Sequence, residues 1–522
     1  MAQGGGGTLL TSGKAASAAD TEPVKALGLE RETPLEPQAA GYSSLVRFMA
    51  VVGGALERSR WERAAYTAGL RTDSGNSLTP AQIAGLMDAA LACGHIEQGR
   101  HGLQCAPSHA FAAFREVALG ERDLREWRSA VLALFDGQPE LSAVRGRSFE
   151  RLVAIMRFAM CSGLHEQNRR ELLARNRPFD PAAVCFTAFG DPFDVRVAGL
   201  IPAVHREAVA EGVLLHLLRR PNGSAPAAVA WALDFVSQAH AAPKAPSTLK
   251  YGLCEHLLWQ GRSQEVGTLL GTDASARAVA LHGAAAMLDA DPRRATELYA
   301  RAERLRVDES RARAGGGRLR GAKLIIPKLP ASLAFLRIAA LVVVNEPQTV
   351  GAAHVLCVEE TRAAENPSVW NFIREAIRAR SHNSGHTSRH LPLMDSDAMV
   401  NLCTLVAGSW ARIPLDEAQQ QTAASDLKRF RTAGYQRAAL EIDAALAMAR
   451  GWRKDSAAPG VGDPDGGGRE GGELNAAQRG TLAAFFVDEA PWERAIEALE
   501  SLESLVGKSR NGAGRAADTR IV

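Results

Sequence analysis

Long apolar runs are missing from this chain. No stretch reaches the roughly eighteen uninterrupted apolar residues that a membrane-spanning helix needs. The best candidate, Ile338 to Val344, is short and lies between Arg337 and Asn345-Glu346. The first residues, MAQGGGGTLLTSGKAASAAD, have no charged leader followed by an apolar core, so they do not read as a secretory signal. Charge bias is missing as well. Lys and Arg number 61 against 58 Asp and Glu, a formal charge of +3, which is no nucleic-acid footprint for the whole chain. Paired cysteines are absent: Cys93, Cys105, Cys161, Cys185, Cys254, Cys357 and Cys403 are odd in number and none forms a Cys-x-x-Cys pair. That excludes a zinc ribbon or a disulfide framework and leaves reduced, mostly buried thiols. What is present is an apolar fraction of 46%, enough for real cores over 522 residues. A cytoplasmic protein with no membrane segment is expected.

Composition divides the chain. Residues 1–41 are rich in Gly, Ala, Ser and Pro and read as a disordered arm. Residues 454–475 form a second low-complexity linker, and 508–522 an unstructured tail. Between them lie a module at 42–110, a long helical region at 111–453 and a terminal helical segment at 476–507.

In the module, Leu45, Phe48, Met49 and Val52 recur at the spacing of one helix face, and Trp61, Ala64 and Ala65 suggest a second helix. Thr79, Pro80 and Gln82 are the N-cap, first residue and capping-box partner of a third. Its apolar stripe is Ile83, Leu86, Met87, Ala90 and Leu91, and Gly94 closes it. Two extended runs follow, His95 to Glu97 and Leu103 to Cys105, joined through Gly99 and Gly102. Three helices and a glycine-turned hairpin are the order of a winged helix. A DNA-reading third helix needs Arg, Lys, Asn or Gln at base edges. This one offers Gln82 and the acid Asp88, while Arg58, Arg60 and Arg63 fall on the preceding helix. A packing or protein-contact module is the favoured reading.

From 111 onward the pattern is helix after helix. Leu249, Leu253 and Leu257 mark a helix ending near Gly261, and Val266, Leu269 and Leu270 mark its partner. The next pair runs through Val279, Gly283 and Met287, then Asp291-Pro292, then Ala295, Leu298, Tyr299 and Ala302. Gly283, Ala295, Tyr299 and Ala302 have the spacing of a tetratricopeptide repeat, in which small residues let two helices approach and an aromatic ring fills the gap. Val307 stands where the usual proline would be. The expected fold is all-α, a tetratricopeptide-like α-α superhelix with an amino-terminal winged-helix-like module, presenting a concave surface to partners.

Signatures of catalysis are weak. Leu482 to Val487 before Asp488-Glu489 has the look of a strand and acidic pair of a nucleotide-hydrolysing site, and Gly507-Lys508-Ser509 that of a phosphate-loop end. Leu502 stands where the phosphate loop needs glycine, and the order is reversed. Pro491 instead opens a helix with Trp492, Ile496, Leu499 and Leu502 on one face, which makes the two acids helix-start residues. His382, His386 and His390 recur every four residues, but Gly385, Asn383 and Pro392 make that stretch a loop. Cys161 near His165, and Cys254 near His256, read as core or surface residues. No nucleophile elbow or dinucleotide fingerprint is found, so no catalytic, metal or cofactor residue is assigned. One charged segment stands out: nine Arg or Lys and three acids lie between Arg301 and Lys328. Arg311, Arg313, Arg318, Arg320, Lys323 and Lys328 are its candidates for contact with a polyanion.

Several short segments together resemble the long amino-terminal region of bacterial Swi/Snf-type helicases, superfamily II proteins with DEAD/DEAH-like motors. They are the winged-helix-like start, Asp191-Pro192-Phe193-Asp194 with Leu200-Ile201-Pro202, Leu305-Arg306 followed by Lys323-Leu324-Ile325-Ile326-Pro327-Lys328-Leu329, His390-Leu391-Pro392-Leu393 with Trp410 beyond it, and Asp488 to Ala495. Lys328 departs from the glycine that family tends to have, and the basic loop is expanded. The resemblance spans residues 42 to 506 and places the family's motor beyond them, so it carries over no catalytic residue. It implies a non-catalytic binding or scaffolding region, a motorless fragment or a stand-alone derivative, with a protein or a helicase motor as partner and nucleic acid as another. The alternative is a helical-repeat transcription regulator or signalling adaptor that uses its winged helix on DNA.

Overall fold

The computed structural model describes residues 42–456, except 73, 100, 121–122, 128–129, 132–148, 163–178, 240–247, 314–328, 364–366, 383–390 and 395–396, together with 480–484. The first described elements are α1 (Ser44–Val52), α2 (Arg58–Thr67), α3 (Pro80–Ala92), β1 (Ile96–Gly99) and β2 (Gly102–Cys105). Thr79 and Gln82 form the expected capping box at α3, with Pro80 in the first turn. Of the expected α3 stripe, Ile83, Met87 and Ala90 are buried, whereas Leu86 and Leu91 are only half-buried.

The hairpin is antiparallel, with Ile96 opposite Cys105 and Gly99 opposite Gly102. Each strand is slightly longer than the apolar runs imply, because Gly102 continues the ladder through a φ of +126° that side chains resist. Leu56, in the α1–α2 connection, bridges to Leu103, and the buried Trp61 indole donates to the Leu103 carbonyl at 2.7 Å. One apolar cluster, including Phe48 against Trp61 and Trp127, thus ties the hairpin to the helices.

Helix α4 (Pro107–Leu119) crosses the boundary expected at residue 110 and packs on α1, which makes it part of the same core. Next come α5 (Asp123–Glu126), α6 (Phe149–Cys161), α7 (Pro181–Phe189), α8 (Val195–Leu200), α9 (Ala203–Arg219) and α10 (Ala225–Ala239). α1 also packs on α6, where Gly53 approaches so closely that a Cβ there would stand 2.2 Å from that of Ala154.

Helical hairpins then follow: α11 (Thr248–Gln260) with α12 (Ser263–Leu270), α13 (Ala276–Leu288) with α14 (Pro292–Arg313), and α15 (Ala331–Val344) with α16 (Pro347–Ala363). The sequence placed these helices well. Gly261 turns the first hairpin at a φ of +83°, and Asp291 caps α14 by accepting from the Arg294 amide at 3.1 Å. Gly283 faces the Tyr299 ring, to which a Cβ would come within 3.2 Å, so the glycine sets how closely α13 and α14 approach.

Helices α9, α11, α13 and α15 pack side by side as one layer, with α10, α12, α14 and α16 as their partners. The chain continues through α17 (Pro367–His382), α18 (Ala398–Trp410), α19 (Glu417–Thr432), α20 (Gln436–Ser456) and a single turn, α21 (Thr481–Ala484). Here the arrangement departs from an open array. α18 lies against α9 and α15, α20 against α11, and α21 against α13. The face of the first-helix layer that was expected to be presented to partners carries a third layer made by the chain itself. The residues explain this: every position of α18 but Val400 is buried, Asn401, Thr404 and Ser409 included, so the helix is surrounded and its polar groups are bonded within the fold. Phe335 of α15 and Trp410 of α18 stack with centroids 5.7 Å apart. α20 runs to Ser456, past the start expected for the linker at 454. The described residues from Ser44 onward belong to one compact unit. Among the described residues, no helix is long and apolar enough to cross a membrane.

Candidate functional site

Between the first-helix layer and its cover lies a cavity of about 470 Å³. Its polar wall holds Glu211, Arg219, Glu255, Arg277, Ser332 and Asp397. Glu255 sits in α11 between Cys254 and His256, in a stretch buried on every side. A charged group there needs partners from other helices. Arg277 of α13 donates to Oε1 at 3.2 Å, and the Ser332 hydroxyl of α15 donates to Oε2 at 3.2 Å. Three successive hairpins are tied through one carboxylate. Burial pushes its pKa up, opposed by the Arg277 guanidinium and the two hydrogen bonds. Arg277 also stacks over the Tyr251 ring at 5.4 Å, and the Tyr251 hydroxyl donates to Asp273 at 2.9 Å. Asp397 caps α18 by accepting from the Val400 amide at 3.0 Å. Burial raises its pKa too, against the pull of that amide and of Arg219.

His256 closes the floor. Its Nε2 lies 2.9 Å from the Leu214 carbonyl, and its Nδ1 lies 2.6 Å from the Tyr435 hydroxyl. A carbonyl only accepts, so Nε2 carries the proton and Nδ1 accepts from the tyrosine. Burial pushes the imidazole pKa down to about 4, so it is neutral at physiological pH. Both ring nitrogens hold elements together, α11 to α9 and to the start of α20.

The third layer is fixed in the same manner. Glu441 of α20, fully buried, accepts from the amides of Thr481, Leu482 and Ala483 at 2.7, 2.9 and 3.2 Å. Arg437 stands 3.0 Å from the same carboxylate. The Trp410 indole donates to the Leu482 carbonyl at 3.2 Å. The start of the apolar run at Leu482, strand-like by composition, is therefore a helical turn held by a side-chain cap.

The structure distributes the residues singled out by sequence. Arg311 is exposed near the end of α14, with a guanidinium nitrogen 3.5 Å from Asp308, and Arg313 is the last residue of that helix. Arg318, Arg320, Lys323 and Lys328 lie outside the described residues. The next described residues, Leu329 and Pro330, line the cavity. His382 ends α17 rather than standing in a loop, while His386, His390 and the Asp488-Glu489 pair lie outside the described residues. Among the described residues no group of three metal-ligating side chains converges. All seven cysteines are free, as expected, and burial raises the thiols of Cys105, Cys161, Cys254, Cys357 and Cys403. On the amino-terminal module, Arg58 of α2 is bound to Asp88 of α3 at 2.6 Å and to Glu62 at 3.0 Å.

Sequence reasoning passed over Glu255, Arg277, Ser332, Asp397 and Glu441. A usable signal existed for one of them: Glu255 is the lone carboxylate of a helix with no polar face and must find a partner elsewhere in the fold. No family model, curated protein or solved structure matches the chain.

Proposed function

We propose that the chain is a non-catalytic binding scaffold, a tetratricopeptide-like array with a winged-helix module, of the kind that forms the amino-terminal arm of bacterial Swi/Snf-type helicases. One observation carries this reading: the buried polar groups of the central cavity are committed to joining helices. Both oxygens of Glu255 accept from neighbouring hairpins, and both nitrogens of His256 are bonded. A catalytic base needs a free lone pair within reach of a substrate proton, and the single lone pair of His256 is taken by the Tyr435 hydroxyl. These groups instead make a rigid body, which suits a protein that positions a partner such as a helicase motor.

The alternative, a DNA-reading winged helix, finds less support. The α3 face carries no Lys or Arg, and the nearest guanidinium, Arg58, is neutralised by Asp88 and Glu62. Two measurements on the purified chain test the reading. ATP hydrolysis with and without DNA is expected to stay at background, and turnover above it would overturn the assignment. A gel shift across a salt series is expected to show no salt-sensitive DNA binding at micromolar protein; a steep salt slope would move the weight to the transcription-regulator reading.

A further inference from the structure

A second cavity, of about 400 Å³, lies at the seam between the amino-terminal module and α6–α7. Its walls are largely apolar, including Met49, Phe111, Phe149, Val153 and Ala154, and its one cation is Arg157 of α6. Arg157 is only 7% exposed. Its Nε donates to the Ala188 carbonyl at 2.8 Å and its Nη2 to the Thr187 carbonyl at 2.6 Å, closing the last turn of α7. The guanidinium sits over the Phe111 and Phe114 rings at 5.1 and 5.8 Å.

These contacts explain its position but not its charge. A helix end and two ring faces supply partial charge, whereas a buried cation normally has a full anion beside it. No carboxylate pairs with Arg157 among the described residues, and its Nη1 has no acceptor there. The two neighbouring sulfurs, Cys105 and Cys161, are neutral thiols, pushed up to about 12 by burial, so they balance nothing.

We propose that this cavity binds a singly charged carboxylate with an apolar body, its head group on the free edge of Arg157 and its tail along Met49, Phe111 and Val153. Three features select that class. The guanidinium fork matches a planar carboxylate. The walls suit a hydrocarbon, and the volume lies in the range of small-ligand sites. Glu150 and Asp191 also line the cavity without pairing with Arg157, and their charge opposes a dianion such as phosphate more strongly than a single carboxylate. Bound there, the ligand would bridge the module to the rest of the fold.

The test is titration calorimetry of the full chain with sodium octanoate, 1-octanol and inorganic phosphate, all well below micellar concentrations. Saturable binding of octanoate near one equivalent is expected, at least about ten-fold tighter than octanol, as one charge-assisted pair provides. Arg157→Gln is expected to bring octanoate down to the affinity of octanol while leaving octanol unchanged. Should that variant fail to fold, the comparison of the three ligands on the unaltered chain decides alone. Equal affinity for octanoate and octanol, stronger binding of phosphate than of octanoate, or no saturable binding of octanoate would each overturn the proposal.

Discussion

Replacing Glu441 with alanine removes the carboxylate that caps the returning segment 480–484 and leaves it the Trp410–Leu482 and Thr481–Leu288 hydrogen bonds. The carboxylate is fully buried and accepts from three consecutive amides, so the change strips three buried donors of their acceptor. It also strands Arg437, whose side chain is only 18% exposed, beside no counter-charge. Breaking one partner out of a buried ion pair costs about 3–5 kcal/mol, and each orphaned amide adds about 1 kcal/mol where water cannot reach it. Release of the segment relieves part of this, because freed amides return to water. A net loss of about 3–5 kcal/mol follows. Denaturant unfolding measures the loss, and hydrogen exchange localises it: the amides of Thr481, Leu482 and Ala483 should lose protection ahead of any other buried amides. In Glu441→Gln the amide oxygen can still accept, but its NH2 group cannot face a row of donors, so an intermediate loss is expected. The double variant Glu441→Ala, Arg437→Met should lose less than the sum of the two singles, since the stranded cation is gone. A Glu441→Ala loss below about 1 kcal/mol with unchanged exchange at 481–483 would refute the reasoning.

Acid should weaken the fold through histidine. In the unfolded chain His256 titrates near 6.5, in the fold near 4, so between those values the unfolded state binds a proton that the fold refuses. Stability therefore falls as pH drops through that window, by about 3 kcal/mol for His256 once below it. His216 and His354, also held near 4 by burial, act in the same direction, whereas the raised carboxyls of Glu255, Asp397 and Glu441 act against them, so the check is the difference between chains: the acid slope should flatten in His256→Gln, and an unchanged slope would contradict the reasoning. Gly102→Ala should destabilise by at least about 2 kcal/mol, because its Cβ would stand 2.2 Å from the Leu56 carbonyl oxygen at a φ of +126°. Near-unchanged melting would show that the hairpin can shift away from α2. Gly283→Leu should cost about 1–3 kcal/mol by forcing α13 off the Tyr299 ring, and a neutral result would mean that the ring can swing aside.

What the sequence revealed was local. The capping box at Thr79, the turn at Gly261, the cap at Asp291 and the Gly283–Tyr299 pair all rest on residues within one hairpin, and they stand where spacing put them. What it hid was the third layer. The helix from Ala398 to Trp410 has no charged residue and only three polar ones, Asn401, Thr404 and Ser409, and such a pattern states that a helix is surrounded without saying by what. Contacts such as His256 with Tyr435 span 179 residues and leave no periodic trace. The central cavity was illegible for the same reason, since Glu255, Arg277 and Ser332 come from three hairpins and none belongs to a motif.

The covered face changes where a partner can dock. In an open array the inner helices offer an apolar stripe and the partner supplies the missing half. Here α18 and α20 supply it, fastened by Glu441, His256 and the Phe335–Trp410 stack. A partner that needed that face would have to displace an entirely buried helix and leave Asn401, which donates to Asp426 at 2.7 Å, without its bond. Such opening costs far more than a typical interface returns. On the scaffold reading proposed above, a partner would meet the outer helices, the amino-terminal module or the cavity wall at Leu329–Pro330 rather than that face. Neutralising Arg311, near the end of α14, tests the basic segment as a contact for a polyanion. Its guanidinium is 71% exposed and only 3.5 Å from an equally exposed Asp308, so Arg311→Ala should leave stability unchanged. If the basic segment that includes Arg311 meets a polyanion, the variant should weaken heparin binding and flatten its salt dependence; identical salt curves for the variant and the unaltered chain would remove Arg311 from the interface.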